Sequence, residues 1–199
     1  MKAILISIRP QWVAKILNGE KTIEIRKRFP KDYAGWVYIY CTKERPYLTR
    51  GVRGDVYPSC VSSQGIVPHH LNSKVVARFW CDKVEELMFL EGLYSQLDRG
   101  YCTDTLDNAQ IEIKSRVPQE SIIDYLYSKG KGYAIHITKL EIFDRPKEIS
   151  EFYKVGYNDE VNKVFEQPHT LREQMALVQA VAILNQIKRA PQSWCYVEV

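Results

Sequence analysis

The most informative segment of the sequence is Asn18-Gly19-Glu20-Lys21-Thr22-Ile23-Glu24-Ile25-Arg26. Its first two residues predict a left-handed stop after a helix, because Asn and Gly adopt positive φ at low cost. Residues 22–26 alternate polar and apolar side chains, which is typical of a strand with one buried face. We therefore expect the two isoleucines in the core and the three polar side chains together on the opposite face.

Helices and further strands are predicted on both sides of this stretch. Upstream, an aliphatic strand at 2–8 is followed by a helix that Pro10 opens, since its missing N–H is harmless in the first turn. Downstream, Pro118 begins a short helix, and residues 170–189 have the strongest helical pattern of the chain. The other strand candidates are 36–42, 74–81, 133–143 and 194–199. About six strands mixed with three or four helices favour an α+β fold around a partly closed β-barrel.

Length and composition are those of one globular domain. The chain has 199 residues, of which 45% are hydrophobic and 26% are charged, and these values exclude a disordered or collagen-like chain. No apolar run approaches the roughly 20 residues of a membrane span. Residues 1–7 lack the apolar region and cleavage site of a secretory signal. We therefore expect a cytoplasmic protein that does not associate with membranes.

The cysteines and histidines do not indicate a metal site or an organic cofactor. The five cysteines are an odd number at wide spacing, with no CxxC pair, so neither a disulfide framework nor a zinc site is predicted. Cys60 with His69 and His70 comes nearest to a ligand cluster. We expect these loop residues not to meet.

Positive charge is concentrated towards the amino terminus. The net charge is +4, but residues 1–55 hold 12 Lys/Arg against 5 Asp/Glu, a net of +7, and residues 56–199 hold 16 against 19, a net of −3. A surface of one sign concentrates anionic partners, including phosphate backbones. The alternative is a solvated basic face without a ligand.

Gly19, Lys21, Glu24 and Arg26 match the motif G-x-K-x-x-E-x-R. Together with the preceding Ile6-Ser7-Ile8-Arg9-Pro10 and the order of the flanking strands, this motif resembles the ASCH domain, a branch of the PUA-like superfamily. The resemblance implies a PUA-like, partly closed β-barrel with flanking helices. It also implies a cleft between the first helix and the motif strand.

The resemblance extends to both ends of the chain and implies one ASCH/PUA-like domain over residues 1–199. Two segments are longer than a minimal ASCH domain needs. We expect residues 43–73 to be a loop insertion and residues 154–190 to be an inserted helical arm. Ordinary surface elaboration is the alternative for both segments.

Binding of RNA or of a modified nucleotide or nucleoside is the function that the resemblance implies for the cleft. Lys21 and Arg26 can contact phosphate, and Glu24 can accept a hydrogen bond from an exocyclic amine. An exposed polar strand face with a surface salt bridge, worth at most ~1 kcal/mol, is the alternative. The remaining candidate ligand-binding residues are Thr22 on the same strand face, Tyr40 as a stacking surface with Trp36 and Tyr38, and, by resemblance alone, Arg9, Ser193 and Trp194.

Hydrolysis is an alternative function from the same resemblance. Some small ASCH proteins remove acyl groups from N4-acetylcytidine, and others have been linked to RNA cleavage. Lys21 would act as the base with Glu24 assisting, provided that burial or cationic neighbours lower the lysine pKa. Those amidohydrolases have a threonine in place of Glu24, so their presumed nucleophile is missing here. Their separate acidic residue is not matched either, although Glu85 and Glu86 follow the central strand.

An interaction module is a further alternative, from a different class. The predicted helix at 170–189 has a wide apolar stripe, which must pack on the body of the protein or on a partner. A homo-oligomer formed through this helix is therefore an expectation of the sequence.

Overall fold

The computed structural model describes residues 2–59, 70–90, 100–127 and 130–199. Within these ranges the chain has an α+β architecture. The strands are β1 Lys2–Ile8, β2 Ile23–Arg26, β3 Gly35–Cys41, β4 Leu48–Arg50, β5 Val56–Pro58, β6 Val75–Cys81, β7 Val84–Leu90, β8 Gly100–Cys102, β9 Gly132–His136, β10 Thr138–Lys147 and β11 Trp194–Glu198. The helices are α1 Pro10–Leu17, α2 Asn108–Ser115, α3 Gln119–Leu126, α4 Tyr157–Glu166 and α5 Leu171–Asn185, with a short 3-10 turn at Ile149–Glu151.

Two sheets form the curled half-barrel. The larger sheet has the strand order β10-β6-β3-β1-β11, and the smaller has the order β2-β9-β7-β8. β1 and β3 are parallel, whereas the other neighbouring pairs in both sheets are antiparallel. The chain crosses between the sheets at residues 82–83 and again at Ile137. The predicted partly closed β-barrel is therefore confirmed.

β1 lies in the middle of the core because both of its faces are covered. Ile4 and Ile6 pack with α1 and the inner face of β3, while Leu5 packs on the other face with Phe152. A strand buried on both faces has a nearly continuous apolar sequence, and residues 3–6 are Ala-Ile-Leu-Ile. The packing on both faces of the larger sheet therefore depends on this strand.

The motif strand β2 packs into a second core. Ile23 and Ile25 are both buried, as expected, and contact Leu87 of β7 and the helices α2 and α3. β2 pairs with β9, with Glu24 opposite Ile135. The polar face of β2 is thereby turned towards α1 and β1.

The predicted long strand at 133–143 is two strands in the structure. β9 pairs with β2 and β7, whereas β10 pairs with β6 of the other sheet. Between them the N–H of Ile137 donates to the carbonyl of Thr22 at 2.9 Å. The segment changes sheets at this residue, which an alternating pattern cannot reveal.

The two long segments contain regular structure. β4 and β5 form a hairpin within 43–73, and Asn18 at the end of α1 holds it through two hydrogen bonds with the backbone of Val56, at 2.8 and 2.9 Å. Residues 60–69 of that segment, including Cys60 and His69, lie outside the described residues. The interpretation of 43–73 and 154–190 as insertions stays a prediction.

Helices α4 and α5 pack on each other and form a helical arm. α5 begins at a capping box between Thr170 and Glu173 and ends at Asn185, four residues short of the predicted end at 189. The reason is that Gln186 bridges to Tyr153 and Ile187 donates to the carbonyl of Phe152. No helix in the described part of the chain combines the length and hydropathy needed to cross a membrane.

Self-association through α5 stays a prediction, and the exposed apolar side chains of the helix make it testable. Leu171 and Met175 are 73% and 67% exposed, and their i,i+4 spacing places them on one helix face. We expect the mass in solution to rise with concentration, and the double variant Leu171→Glu, Met175→Glu to stay monomeric, because a buried charge opposes association. Sedimentation velocity measures both, with Ile113→Glu on α2 as the control. A monomer at every concentration would contradict the prediction.

Candidate functional site

The turn between α1 and β2 places the motif. Gly19 has a φ of +73°, a conformation that glycine adopts without strain. The N–H groups of Glu20 and Lys21 both donate to the carbonyl of Lys15, at 2.8 and 3.1 Å. The chain therefore reverses directly after the helix, and the side chain of Lys21 turns back towards the interior.

Lys21, Glu24 and Arg26 form a buried cluster. The Nζ of Lys21, which is 2% exposed, lies 3.3 Å from Oε2 of Glu24 and donates to the carbonyl of Ser115 at 2.7 Å. The Nε of Arg26 lies 3.0 Å from the other carboxylate oxygen, and its Nη2 donates to the carbonyl of Ser7 at 2.6 Å. One carboxylate is thus placed between two cations.

Burial lowers the pKa of Lys21 below its usual 10.5. The carboxylate of Glu24 opposes this shift by favouring the ammonium form, while the positive charges of Arg26 and Lys15 add to it. Removing a cation from water disfavours its charged form, and here that cost exceeds the attraction of the neighbouring carboxylate. The lysine can therefore release or accept a proton closer to neutral pH than a solvated lysine can.

The cluster lies on the wall of a cavity of about 490 Å³. The first turn of α1, the strand β2, the helix α3 and the residues Thr42 and Glu44 line it. Trp12 of α1 and Tyr125 of α3 supply aromatic rings, and the Nζ of Lys21 lies 5.4 Å from the Trp12 ring centre. Pockets of 300–1,000 Å³ with a few convergent polar groups are typical of small-ligand sites.

Two buried polar atoms of the cavity lining make no hydrogen bond to the described residues. They are Nε of Arg26 and Oγ1 of Thr42. The Arg26 Nε is close to Glu24, but the N–H is not aligned with the carboxylate oxygen, so the contact is an ion pair only. An unsatisfied buried polar group costs about 1–3 kcal/mol, and a ligand with matching groups would recover that cost.

Four of the predicted ligand-binding residues line the cavity, namely Arg9, Lys21, Glu24 and Arg26. Arg9 lies at the rim, where its Nε is 3.4 Å from Glu44 and both side chains are largely exposed. Thr22 is exposed and does not line the cavity. The reason is that the chain begins to turn there, and the residue contributes its carbonyl to Ile137 instead.

The other predicted residues lie on different surfaces. Tyr40 packs with Trp36 and Tyr38 on the outer face of the larger sheet, against Phe152 and its neighbours. Trp194 packs against the inner core, and its Nε1 donates to the carbonyl of Arg28. The carbonyl of Ser193 accepts from the N–H of Ser7 at 2.8 Å, but its side chain is not part of the cavity lining.

Sequence reasoning missed the aromatic walls and the donor Thr42. For Trp12 the available signal was its position one turn from Arg9 on the predicted first helix. No sequence pattern indicated Tyr125, because α3 comes to line the cavity only when it packs on the smaller sheet. Among the described residues, no group of three or more metal-ligating side chains could hold a metal ion.

Glu85 belongs to a separate polar network and does not line the cavity. Its carboxylate accepts from Thr103 at 2.9 Å and Thr105 at 2.5 Å, and contacts the ring of His136 and the ammonium of Lys83. Burial raises the pKa of Glu85, but these hydrogen bonds outweigh it and lower the pKa to about 2. This network ties β7 to β9 and to the loop after β8.

The fold and the cavity define an α+β half-barrel with a charged site between its first helix and its second strand. A solved serine-to-alanine variant of an ASCH protein from Zymomonas mobilis is similar over 98% of this chain and 88% of its own, with 14% identity and a TM-score of 0.50. Another crystal structure of that ASCH protein aligns over 89% of this chain and 94% of its own, with 15% identity and a TM-score of 0.46.

The chain has the fold of these ASCH structures, and the expected α+β, partly closed β-barrel is confirmed. At this level of identity the likeness concerns the fold alone. No family model matches the sequence, and no curated protein matches it. The function must therefore be argued from the cavity.

The Glu85 network predicts a loss of stability in acid. A carboxyl group whose folded pKa is about 2, against an ordinary 4.5, stabilises the fold above pH 4.5, and this contribution disappears as the pH falls towards 2. We expect the unfolding free energy of Glu85→Gln to fall less over this range than that of the unmodified protein. Urea denaturation at several pH values measures it, with the neighbouring Glu86→Gln as the control. Parallel curves for the protein and Glu85→Gln would contradict the prediction.

Proposed function

We propose that the cavity binds one nucleotide unit, either within RNA or as a modified nucleotide or nucleoside. The observation that carries this proposal is the buried Lys21–Glu24–Arg26 cluster on the wall of a cavity with two aromatic side chains. Burying these charged groups together costs free energy, and a role in ligand binding explains their burial better than a contribution to stability does. Replacing buried ion pairs by apolar side chains is often neutral or stabilising.

Glu24 is the residue that selects the base in this proposal. An ionised carboxylate offers about four acceptor positions, and the ammonium of Lys21 and the guanidinium of Arg26 form ion pairs with one oxygen each. The remaining positions can accept from an exocyclic amine, as on cytosine or adenine. The Nε–H of Arg26 supplies a donor for a carbonyl oxygen of the same base.

Trp12 and Tyr125 supply the stacking surfaces. Both belong to the cavity lining, and they project from different helices, α1 and α3. Base–aromatic stacking is worth roughly 1–3 kcal/mol and accepts any base. Arg9 at the rim is the cation available to a phosphate outside the cavity, because its side chain is 64% exposed.

The binding experiment compares cytidine and uridine monophosphates, which differ in the group that Glu24 would recognise. We expect the cytidine nucleotide to bind at least tenfold more tightly, a difference of about 1.4 kcal/mol. The variant Glu24→Gln should remove this preference, since a carboxamide can donate as well as accept. Isothermal titration calorimetry measures both affinities.

The matched control is Glu44→Gln, which makes the same substitution at the exposed rim of the same cavity. It should keep the preference for cytidine monophosphate. Should Glu24→Gln fail to fold, Tyr125→Ala replaces it, because this side chain is 41% exposed and its loss should weaken both nucleotides equally. Equal affinities for the two nucleotides in the unmodified protein would refute the role of Glu24, and no binding of either would refute the proposal.

A second candidate, an amidohydrolase acting on an acylated nucleoside, is favoured by the lowered pKa of Lys21. A neutral amine in the cavity can take a proton from the water that attacks the acyl carbon. The proton then passes to the nitrogen of the nucleoside as the carbon–nitrogen bond breaks, and the products are a free carboxylic acid and the amine. Glu24 would orient the amine of Lys21.

This candidate predicts turnover of N4-acetylcytidine to cytidine and acetate. The rate should rise with pH as Lys21 loses its proton, because only the neutral amine accepts a proton. Lys21→Met should abolish turnover, and Lys139→Met, an exposed lysine on β10, should keep it. Chromatography of the products measures the rate. Equal rates for Lys21→Met and the unmodified protein would exclude Lys21 as the base, and no turnover in either would exclude this substrate.

A further inference from the structure

A second groove of about 330 Å³ lies beside the ends of β2 and β11. Its lining includes the cations Lys27, Arg28 and Lys131 and the aromatic side chains Tyr133, Trp194 and Tyr196. We call these six residues the aromatic-basic patch. No carboxylate of the described residues contributes to the groove lining.

We propose that the aromatic-basic patch holds the nucleotides next to the one in the cavity, so that the ligand is a single strand of nucleic acid. This inference rests on the proposed function and deepens it. It selects a polynucleotide over a free nucleoside as the ligand class. The patch, not the cavity, makes that selection.

The cavity and the patch are joined by the chain itself. Lys27 of the patch directly follows Arg26 of the cavity, and its Nζ lies 5.0 Å from the ring centre of Tyr125, which lines the cavity. On the other side, Gln192 lines the cavity and Trp194 lines the patch. A nucleic-acid strand that leaves the cavity between these two connections reaches the patch next, because residues that line the cavity and residues that line the patch are only one or two positions apart in the chain.

Trp194 is held in place before any ligand arrives. Its Nε1 donates to the carbonyl of Arg28 at 2.7 Å. Its ring meets Phe29 and Tyr196 edge-on, with both centroid distances at 5.6 Å. A ring that is already fixed loses little conformational freedom when a base stacks on it.

The exposed cations Arg28 and Lys131 match a phosphodiester backbone, and the half-buried aromatic rings that line the groove match unstacked bases. Base pairs in a duplex keep their faces stacked, so aromatic side chains recognise single-stranded segments. An acidic peptide would satisfy the cations but would leave the rings without stacking partners. The combination therefore favours a single strand.

The test compares a fluorescently labelled hexacytidylate with cytidine monophosphate as ligands. The variant Arg28→Glu, Lys131→Glu reverses two patch charges on exposed side chains. The matched control is Lys163→Glu, Arg172→Glu, which makes the same charge change on the exposed helices α4 and α5. Fluorescence anisotropy gives the hexamer affinity, and calorimetry gives the affinity for the mononucleotide.

We expect the hexamer to bind the unmodified protein at least tenfold more tightly than the mononucleotide. With two phosphates neutralised by Arg28 and Lys131, the logarithm of its binding constant should fall with the logarithm of salt at a slope of about −1.4. The patch variant should lose at least tenfold in hexamer affinity and keep its affinity for the mononucleotide. The control variant should lose much less hexamer affinity than the patch variant does. Hexadeoxycytidylate as a second probe distinguishes RNA from DNA.

Three results would overturn the proposal. They are a hexamer affinity equal to that of the mononucleotide, a patch variant that binds the hexamer like the control, and displacement of the hexamer by a hexaglutamate peptide at equal concentration. The last result would identify an acidic protein segment as the occupant. Unchanged mononucleotide binding in Tyr125→Ala, together with loss of hexamer binding in the patch variant, would instead refute the cavity proposal and leave the patch standing. Trp194→Leu, which keeps the charges, should weaken the hexamer alone.

Discussion

The carboxylate of Glu24 is the point at which the two halves of this molecule meet. It pairs with Lys21, whose ammonium also donates to the end of α2, and with Arg26, whose guanidinium donates to the carbonyl of Ser7 on β1. β2 belongs to the smaller sheet and β1 to the larger. The same three side chains therefore connect both sheets. Removing one partner of such a cluster leaves an uncompensated buried charge, which costs about 3–5 kcal/mol, so the geometry of the cavity depends on all three side chains.

This arrangement explains why the cavity lies where it does. A gap remains at the corner where the two sheets meet, and here α1 covers the gap from one side and α3 from the other. The inner positions of β1 and β2 fill the two apolar cores. The polar positions of β2 have no core to enter and point into the corner. A charged site at this corner is thus a consequence of how the half-barrel closes.

The alternation of residues 22–26 was sufficient to predict the strand β2 and its buried isoleucines, because strand periodicity is local. Pro10 and Gly19 were likewise sufficient for the helix before it. The break at Ile137 could not be predicted, since residues 133–143 form one uninterrupted strand-like run and only the partners of its two halves differ. The place of Thr22 outside the cavity follows from a turn whose exit angle is set by hydrogen bonds to Lys15. Tyr40 could not be placed by pattern, because both faces of β3 are covered and either face would accept an aromatic side chain.

The carboxy-terminal strand shows how contacts between distant parts of the chain place side chains beside the motif. β11 pairs with β1, so residues 191–194 come to lie against Ser7. Two hydrogen bonds fix this contact, because the hydroxyl of Ser7 donates to the carbonyl of Pro191 and its N–H donates to the carbonyl of Ser193. Trp194 then points to the side of the sheet where β2 ends, and its indole bonds to Arg28. Its ring therefore belongs to the groove beside the cavity rather than to the cavity. A sequence motif can indicate that such residues lie near the site, but the pairing of β1 with β11 decides which of the two surfaces each of them joins.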